Sequence, residues 1–124
     1  MSRILVVDDS GLARRRARGI LERAGYEVVE ASDGMAAIEM YFIVRPDLVL
    51  LDLVMQGMNG LEVLGKLREL DPDARIIVVS ADVQESSHEL VARAGAAGFL
   101  SKPIDEAAIL SRVQAALGGE VRAN

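Results

Sequence analysis

Three apolar runs in this chain each end on a residue suited to metal or phosphate chemistry, and that repeated design allows few folds. Ile4-Leu5-Val6-Val7 ends on Asp8 and Asp9, Leu48-Val49-Leu50-Leu51 ends on Asp52, and Ile76-Ile77-Val78-Val79 ends on Ser80. A shorter run, Gly98-Phe99-Leu100-Ser101, leads into Lys102-Pro103. None of the longer runs alternates apolar with polar residues, so each is expected to be buried on both faces, as in a parallel sheet. Parallel neighbours bring such endings to one sheet edge, where open α/β sheets bind ligands.

Helical patterns separate the runs. The first spans about Gly11 to Ala24, with Leu12, Ala17, Ile20, Leu21 and Ala24 expected on its inner face and Gly25 as its stop. A strand over Glu27–Ala31 carries Glu27 and Glu30, charges that suit an edge strand by blocking unwanted pairing. A helix follows over about Gly34 to Val44 and ends at Arg45-Pro46. A third starts near Asn59-Gly60, turns Leu61, Leu64 and Leu67 inward, and closes at Asp71-Pro72. A weaker one, roughly Ser86 to Ala94, has little apolar bulk beyond Leu90 and Val91. The last begins after Asp105, an expected N-cap, with Ile104 and Ile109 spaced as a hydrophobic staple and a stripe of Ile109, Leu110, Val113 and Leu117.

Five alternating strand–helix units predict an α/β fold: a doubly wound, five-stranded parallel sheet with right-handed crossovers. An edge-like second strand outside the first gives the order 2-1-3-4-5, flavodoxin-like. The 124 residues suffice for one domain with its own core. Residues 1–118 are expected to form it, with 119–124 as a C-terminal tail.

Composition narrows the class. There is no cysteine, so disulfides and thiolate metal sites are excluded. No run approaches the ~20 apolar residues of a membrane span, and the start lacks signal-peptide architecture. A cytoplasmic location is expected. The net charge of −5 and the few aromatics argue against a nucleic-acid surface.

Asp8, Asp9 and Asp52 at one edge would repel one another and raise one another's pKa values. A divalent cation removes that conflict. Oxygen ligands without a nearby His or Cys suit Mg²⁺ better than zinc. Lys102 adds a compact positive charge for a phosphoryl oxygen, and Ser80 adds a hydroxyl. Such a set resembles machinery for phosphoryl transfer to a carboxylate. Asp52, ending the central strand and standing alone, is the expected nucleophile, with Asp8 and Asp9 as metal holders. Asp8 and Asp9 considered alone would equally serve as caps of the first helix.

Taken in order, the motifs resemble a known family. They are Val6-Val7-Asp8-Asp9-Ser10, Pro46-Asp47-Leu48-Val49-Leu50-Leu51-Asp52, Gly57-Met58-Asn59-Gly60, Val78-Val79-Ser80-Ala81 and Gly98-Phe99-Leu100-Ser101-Lys102-Pro103. The chain is similar to the receiver domains of two-component response regulators, the CheY-like family. The resemblance implies that Asp52 accepts a phosphoryl group from a histidine kinase or phosphotransfer protein. It implies Mg²⁺ bound by Asp9, Asp52 and the backbone carbonyl of Val54, with Asp8 acting mainly through a water. Lys102 would pair with the phosphoryl group, and its bond to Pro103 would be cis. Ser80 and Phe99 would switch together, with an output protein on the face of the fourth helix, fifth strand and fifth helix. A phosphoacceptor that assists its own phosphorylation and dephosphorylation, and is not otherwise an enzyme, is implied. It would be a monomer or weak phosphorylation-dependent dimer, without direct nucleic-acid or membrane contact.

Three departures from the family pattern matter. The loop after Asp52 reads Val54-Met55-Gln56-Gly57, where the family often has Met-Pro-Gly. Phe99 stands where many relatives have Tyr, so the switch must act by packing. Val54 and Asp82 hold the two positions that modulate hydrolysis in this family, which implies a phosphoryl lifetime unlike that of fast chemotaxis regulators. Met55 and Met58 are expected to pack the loop. Arg14, Arg15, Arg16 and Arg18 are expected as a solvated face in preference to a docking patch, and His88 as an exposed helix residue. The alternatives are a flavin carrier, for which Asp8-Asp9 would repel the phosphate, and an Asp-nucleophile phosphatase, which would need Asp-x-Asp at the nucleophile. A receiver fragment of a larger regulator and a phosphorylation-independent binding module are the others.

Overall fold

A computed structural model describes residues 1–55, 57, 59–81 and 85–122. Five strands alternate with five helices: β1 Arg3–Val7, α1 Gly11–Arg23, β2 Glu27–Ala31, α2 Gly34–Val44, β3 Leu48–Asp52, α3 Gly60–Leu70, β4 Ile76–Ser80, α4 Glu85–Arg93, β5 Gly98–Ser101 and α5 Glu106–Arg122. All strand pairings are parallel, in the order β2-β1-β3-β4-β5. The fold class and strand order expected from the apolar runs are therefore the ones observed.

Alternate residues of each strand face opposite layers. Leu5, Val7, Val49, Leu51, Ile76 and Val78 join Tyr41, Leu64, Leu67 and Val91 on the α2–α3–α4 side. Ile4, Val6, Leu48, Leu50, Ile77 and Val79 join Ile20, Leu21, Ile109, Val113 and Leu117 on the α1–α5 side. Burial on both faces removes the need for polar alternation, which is why these strands read as continuous apolar runs.

Local chemistry sets the helix ends. The Ser10 hydroxyl accepts from the Ala13 N–H at 3.1 Å and caps α1. Asp8 and Asp9 are thereby relieved of the capping role that their position also suits. Asn59 and Glu62 form a reciprocal capping box at α3. Asp105 accepts from the Ala108 N–H at 3.0 Å, as expected of its N-cap position.

Three local expectations change. Ala24, expected on the inner face of α1, is its exposed C-cap. Leu12 is 73% exposed. It sits half a helical turn away from Leu21, so it cannot share the buried stripe of Ala17, Ile20 and Leu21. The backbone of α5 continues to Arg122, so much of the expected tail is the helix's last turn. Each residue added to an existing helix gains a hydrogen bond without a new nucleation cost.

Candidate functional site

The sheet register brings the strand endings together. Val7 pairs with Leu51, Asp52 with Val79, and Ser80 with Ser101. Asp8 and Asp9 leave β1 beside Asp52 at the end of the central strand, while Ser80 and Lys102 leave β4 and β5 on its other side. Asp8, Asp9, Asp52, Val54, Ser80 and Lys102 line one open cleft. One carboxylate oxygen from each of Asp8, Asp9 and Asp52 lies within 4.8 Å of the other two.

Burial differs among these groups, and the electrostatics follow. Asp8, Asp52 and Ser80 are buried, Asp9 is exposed, and Val54 is exposed on the rim. Burial and the neighbouring Asp8 charge push the Asp52 carboxyl up to about 6, against the opposing pull of Lys102. The Lys102 ammonium reaches Asp8 Oδ2 at 3.1 Å and Asp52 Oδ2 at 3.5 Å. Burial opposes its charge, but the hydrogen bond to Asp8 and the Asp52 charge outweigh that and hold its pKa above the usual lysine value. One ammonium against three carboxylates leaves a net negative pocket whose candidate metal ligands are all oxygens. That donor set fits a hard divalent cation such as Mg²⁺.

Backbone contacts fix the nucleophile candidate. The Leu53 N–H donates to the Val79 carbonyl at 2.9 Å, and the Gly60 N–H donates to the Leu53 carbonyl at 2.8 Å. A Cβ on Gly60 would stand 2.4 Å from the Asp52 carbonyl oxygen, so only glycine lets α3 start this close to β3. On the opposite strand the Lys102 N–H donates to the Ser80 carbonyl at 2.9 Å. The Lys102–Pro103 peptide is cis.

Phe99 is half-buried, opposite Val78 of β4 and against the α2–α3–α4 layer. The exposed His88 ring of α4 covers it, with centroids 3.9 Å apart. The reading of His88 as merely exposed missed this stack. Met55 is buried in the core, while Met58, Gln56 and Asp82 lie outside the described residues.

The arginine run is corrected more strongly. Arg14 Nε meets Glu30 Oε1 at 2.9 Å, and Arg18 NH1 meets Glu30 Oε2 at 2.5 Å. Arg14 NH1 also donates to the Asp8 carbonyl at 2.6 Å, and Arg18 NH2 to the Val28 carbonyl at 3.1 Å. Arg14 and Arg18 thus tie α1 to β2, while Arg15 and Arg16 are exposed as expected. Glu30 is the shared partner and not an outward edge charge. The available signal was the four-residue spacing of Arg14 and Arg18, which puts both on one helix face.

A five-stranded 2-1-3-4-5 sheet carrying an aspartate cluster, a strand-end serine and a lysine before a proline defines the receiver class. The family model for the response regulator receiver domain matches residues 4–114; the chain belongs to that family, and two-component signalling is its setting. It is 38% identical over 109 residues to the chemotaxis protein CheY of Thermotoga maritima, covering 87% of this chain and 91% of that one. It is 36% identical over 124 residues to the protein PilH of Pseudomonas aeruginosa, covering 96% and 100%. The CheY chain in the CheX–CheY–BeF3–Mg²⁺ complex of Borrelia burgdorferi superposes with a TM-score of 0.89 at 32% identity, covering 94% and 89%. Receiver domains of this family bind Mg²⁺ at such an acidic cluster. Among the described residues, no helix is long and apolar enough to cross a membrane.

Proposed function

We propose that this chain is the cytoplasmic receiver of a response regulator and accepts a phosphoryl group on Asp52 from the phosphohistidine of a histidine kinase or phosphotransfer protein. Residues 1–118 form the receiver on this reading. The observation that carries it is the meeting of the Asp52 carboxylate with Asp8, Asp9 and the Lys102 ammonium in one cleft.

An Asp52 oxygen forms the new bond to phosphorus as the phosphorus–nitrogen bond of the donor breaks, and the imidazole leaves. Asp9, Asp52 and the Val54 carbonyl would hold Mg²⁺, with Asp8 beside them. When bound there, it would supply charge neutralisation for the phosphoryl oxygens. Lys102 already stands 3.5 Å from Asp52, so it can give a phosphoryl oxygen part of the pairing it now gives the aspartates. The Ser80 hydroxyl is a donor for a second phosphoryl oxygen.

The added charge can act as a switch. A full change from ~1:99 to ~99:1 requires about 5.5 kcal/mol of differential interaction. Charge-assisted hydrogen bonds of ~1.5–3 kcal/mol each, from Ser80, Lys102 and loop N–H groups, reach that range. Ser80 moving toward the phosphoryl group would free space for Phe99 to turn in, altering the α4–β5–α5 face where an output protein binds.

Incubation with acetyl phosphate and Mg²⁺ tests the reading by intact mass. A gain of one phosphoryl group is expected, absent in Asp52→Asn and without Mg²⁺. A folded wild-type protein that never gains it would leave a phosphorylation-independent binding module in its place.

A further inference from the structure

We propose that Arg14 is a positioning residue for the acidic loop: anchored by Glu30, its guanidinium holds the main-chain carbonyl of Asp8 and so sets how Asp9 presents its carboxylate to a divalent cation. This rests on the receiver reading only in taking Asp9 as a metal ligand.

Asp8 is held at every polar atom. Its N–H donates to the Ala31 carbonyl at 3.2 Å, Oδ1 accepts from the Ser10 N–H at 2.9 Å, and Oδ2 accepts from Lys102. The remaining carbonyl accepts from Arg14 at 2.6 Å. That carbonyl belongs to the peptide joining Asp8 to Asp9. Because a peptide is planar, fixing its C=O fixes the direction in which the chain enters Asp9. Asp9 is exposed, and the direction of its backbone is one constraint on where its carboxylate lies.

Arg14 is itself fixed. Its side chain is 19% exposed and that of Glu30 is 23% exposed. Glu30 spends one carboxylate oxygen on Arg14 and the other on Arg18, and Arg18 continues to Glu22 and the Val28 carbonyl. Glu30 also serves a second end. An unpaired guanidinium beside three carboxylates would compete with a cation for them, and Glu30 occupies it. The arrangement is the outer-sphere support that metal-ligating groups require.

Mg²⁺ titration of the ¹⁵N-labelled protein, followed at the Asp9 amide, tests the role. Arg14→Gln should weaken Mg²⁺ binding about tenfold with the folded spectrum retained. Arg15→Gln, which removes the same charge from an exposed position of the same helix, should leave affinity unchanged. Arg14→Lys should not restore it, because a point-charge donor cannot span the Asp8 carbonyl and Glu30 together. Equal losses in Arg14→Gln and Arg15→Gln, or full recovery with lysine, would reduce the effect to charge and overturn the proposal. Should Arg14→Gln fail to fold, Glu30→Gln reports through the same link, and wild-type affinity there overturns it. A wild-type protein that binds Mg²⁺ yet resists acetyl phosphate strikes the phosphoacceptor reading alone; one that binds no Mg²⁺ strikes both.

Discussion

On the α1 side of the acidic cleft, Arg14 and Arg18 lock the helix to Glu30 of β2 and to the Asp8 and Val28 carbonyls, above the buried Ala17, Ile20 and Leu21. On the α4 side, Val91 alone is buried among residues 88–93, Leu90 is 53% exposed, and the Phe99 ring is covered by the exposed His88. One flank is held by charge-assisted hydrogen bonds to main chain over a full apolar stripe. Among the described residues of α4, the other rests on the buried Val91 and the His88–Phe99 stack. On the proposed function, a cleft that binds a cation with fixed geometry and also signals outward would need this division. Asp8 and Asp9 sit on the tied side, and the yielding side is where a small population shift would cost least.

The comparison is most exposed to deletion of its two anchors. Leu21→Ala should cost about 2–5 kcal/mol of unfolding free energy, whereas Val91→Ala should cost about 2 kcal/mol at most. Equal losses in chemical denaturation would erase the distinction between flanks. Next in size, Gly60→Ala should cost ~1–3 kcal/mol, because its Cβ meets backbone that cannot yield. It should also slow modification of Asp52 by displacing the strand end; unaltered modification would mean that this close approach is incidental to the cleft.

A smaller effect comes from the cleft's own charge. The folded Asp52 titrates near 6, above its ordinary 3.8. Between those values the native state holds more protons than the unfolded one, so stability should fall as pH rises through that window and level off above it. Denaturation midpoints of the metal-free protein across pH 4–7 check this, and Asp52→Asn should flatten the slope. A rise in stability across the window would mean that Lys102 dominates over burial and Asp8. The smallest expected change is His88→Ala, at about 0.5 kcal/mol for an exposed position. It should leave Mg²⁺ affinity intact while altering the Phe99 ring signals in NMR. Unaltered ring signals would remove His88 from the yielding flank.

Much of the site was legible because strand endings are a local feature. Asp8, Asp52 and Ser80 each follow an apolar run directly, Asp9 and Lys102 come one residue later, and parallel pairing then has only one edge at which to gather them. The helix start near Asn59 and the N-cap at Asp105 were equally local. Glu30, Arg14 and His88 were misjudged or half-judged for one shared reason: each contact depends on how a helix packs against the sheet. Leu12 was a periodicity error instead, since it lies half a turn from Leu21 on the same helix.

The sequence by itself determined the alternation of strands and helices, their order in the sheet and the identity of the groups at its ligand-binding edge, since these follow from periodicity and from the rules of parallel connection. Only the tertiary structure decided that Glu30 would bind two arginines, that one of them would hold the Asp8 carbonyl, and that a histidine would lie over Phe99. Those contacts join side chains from separate elements, and their energies depend on ångström-scale separations that no residue pattern encodes.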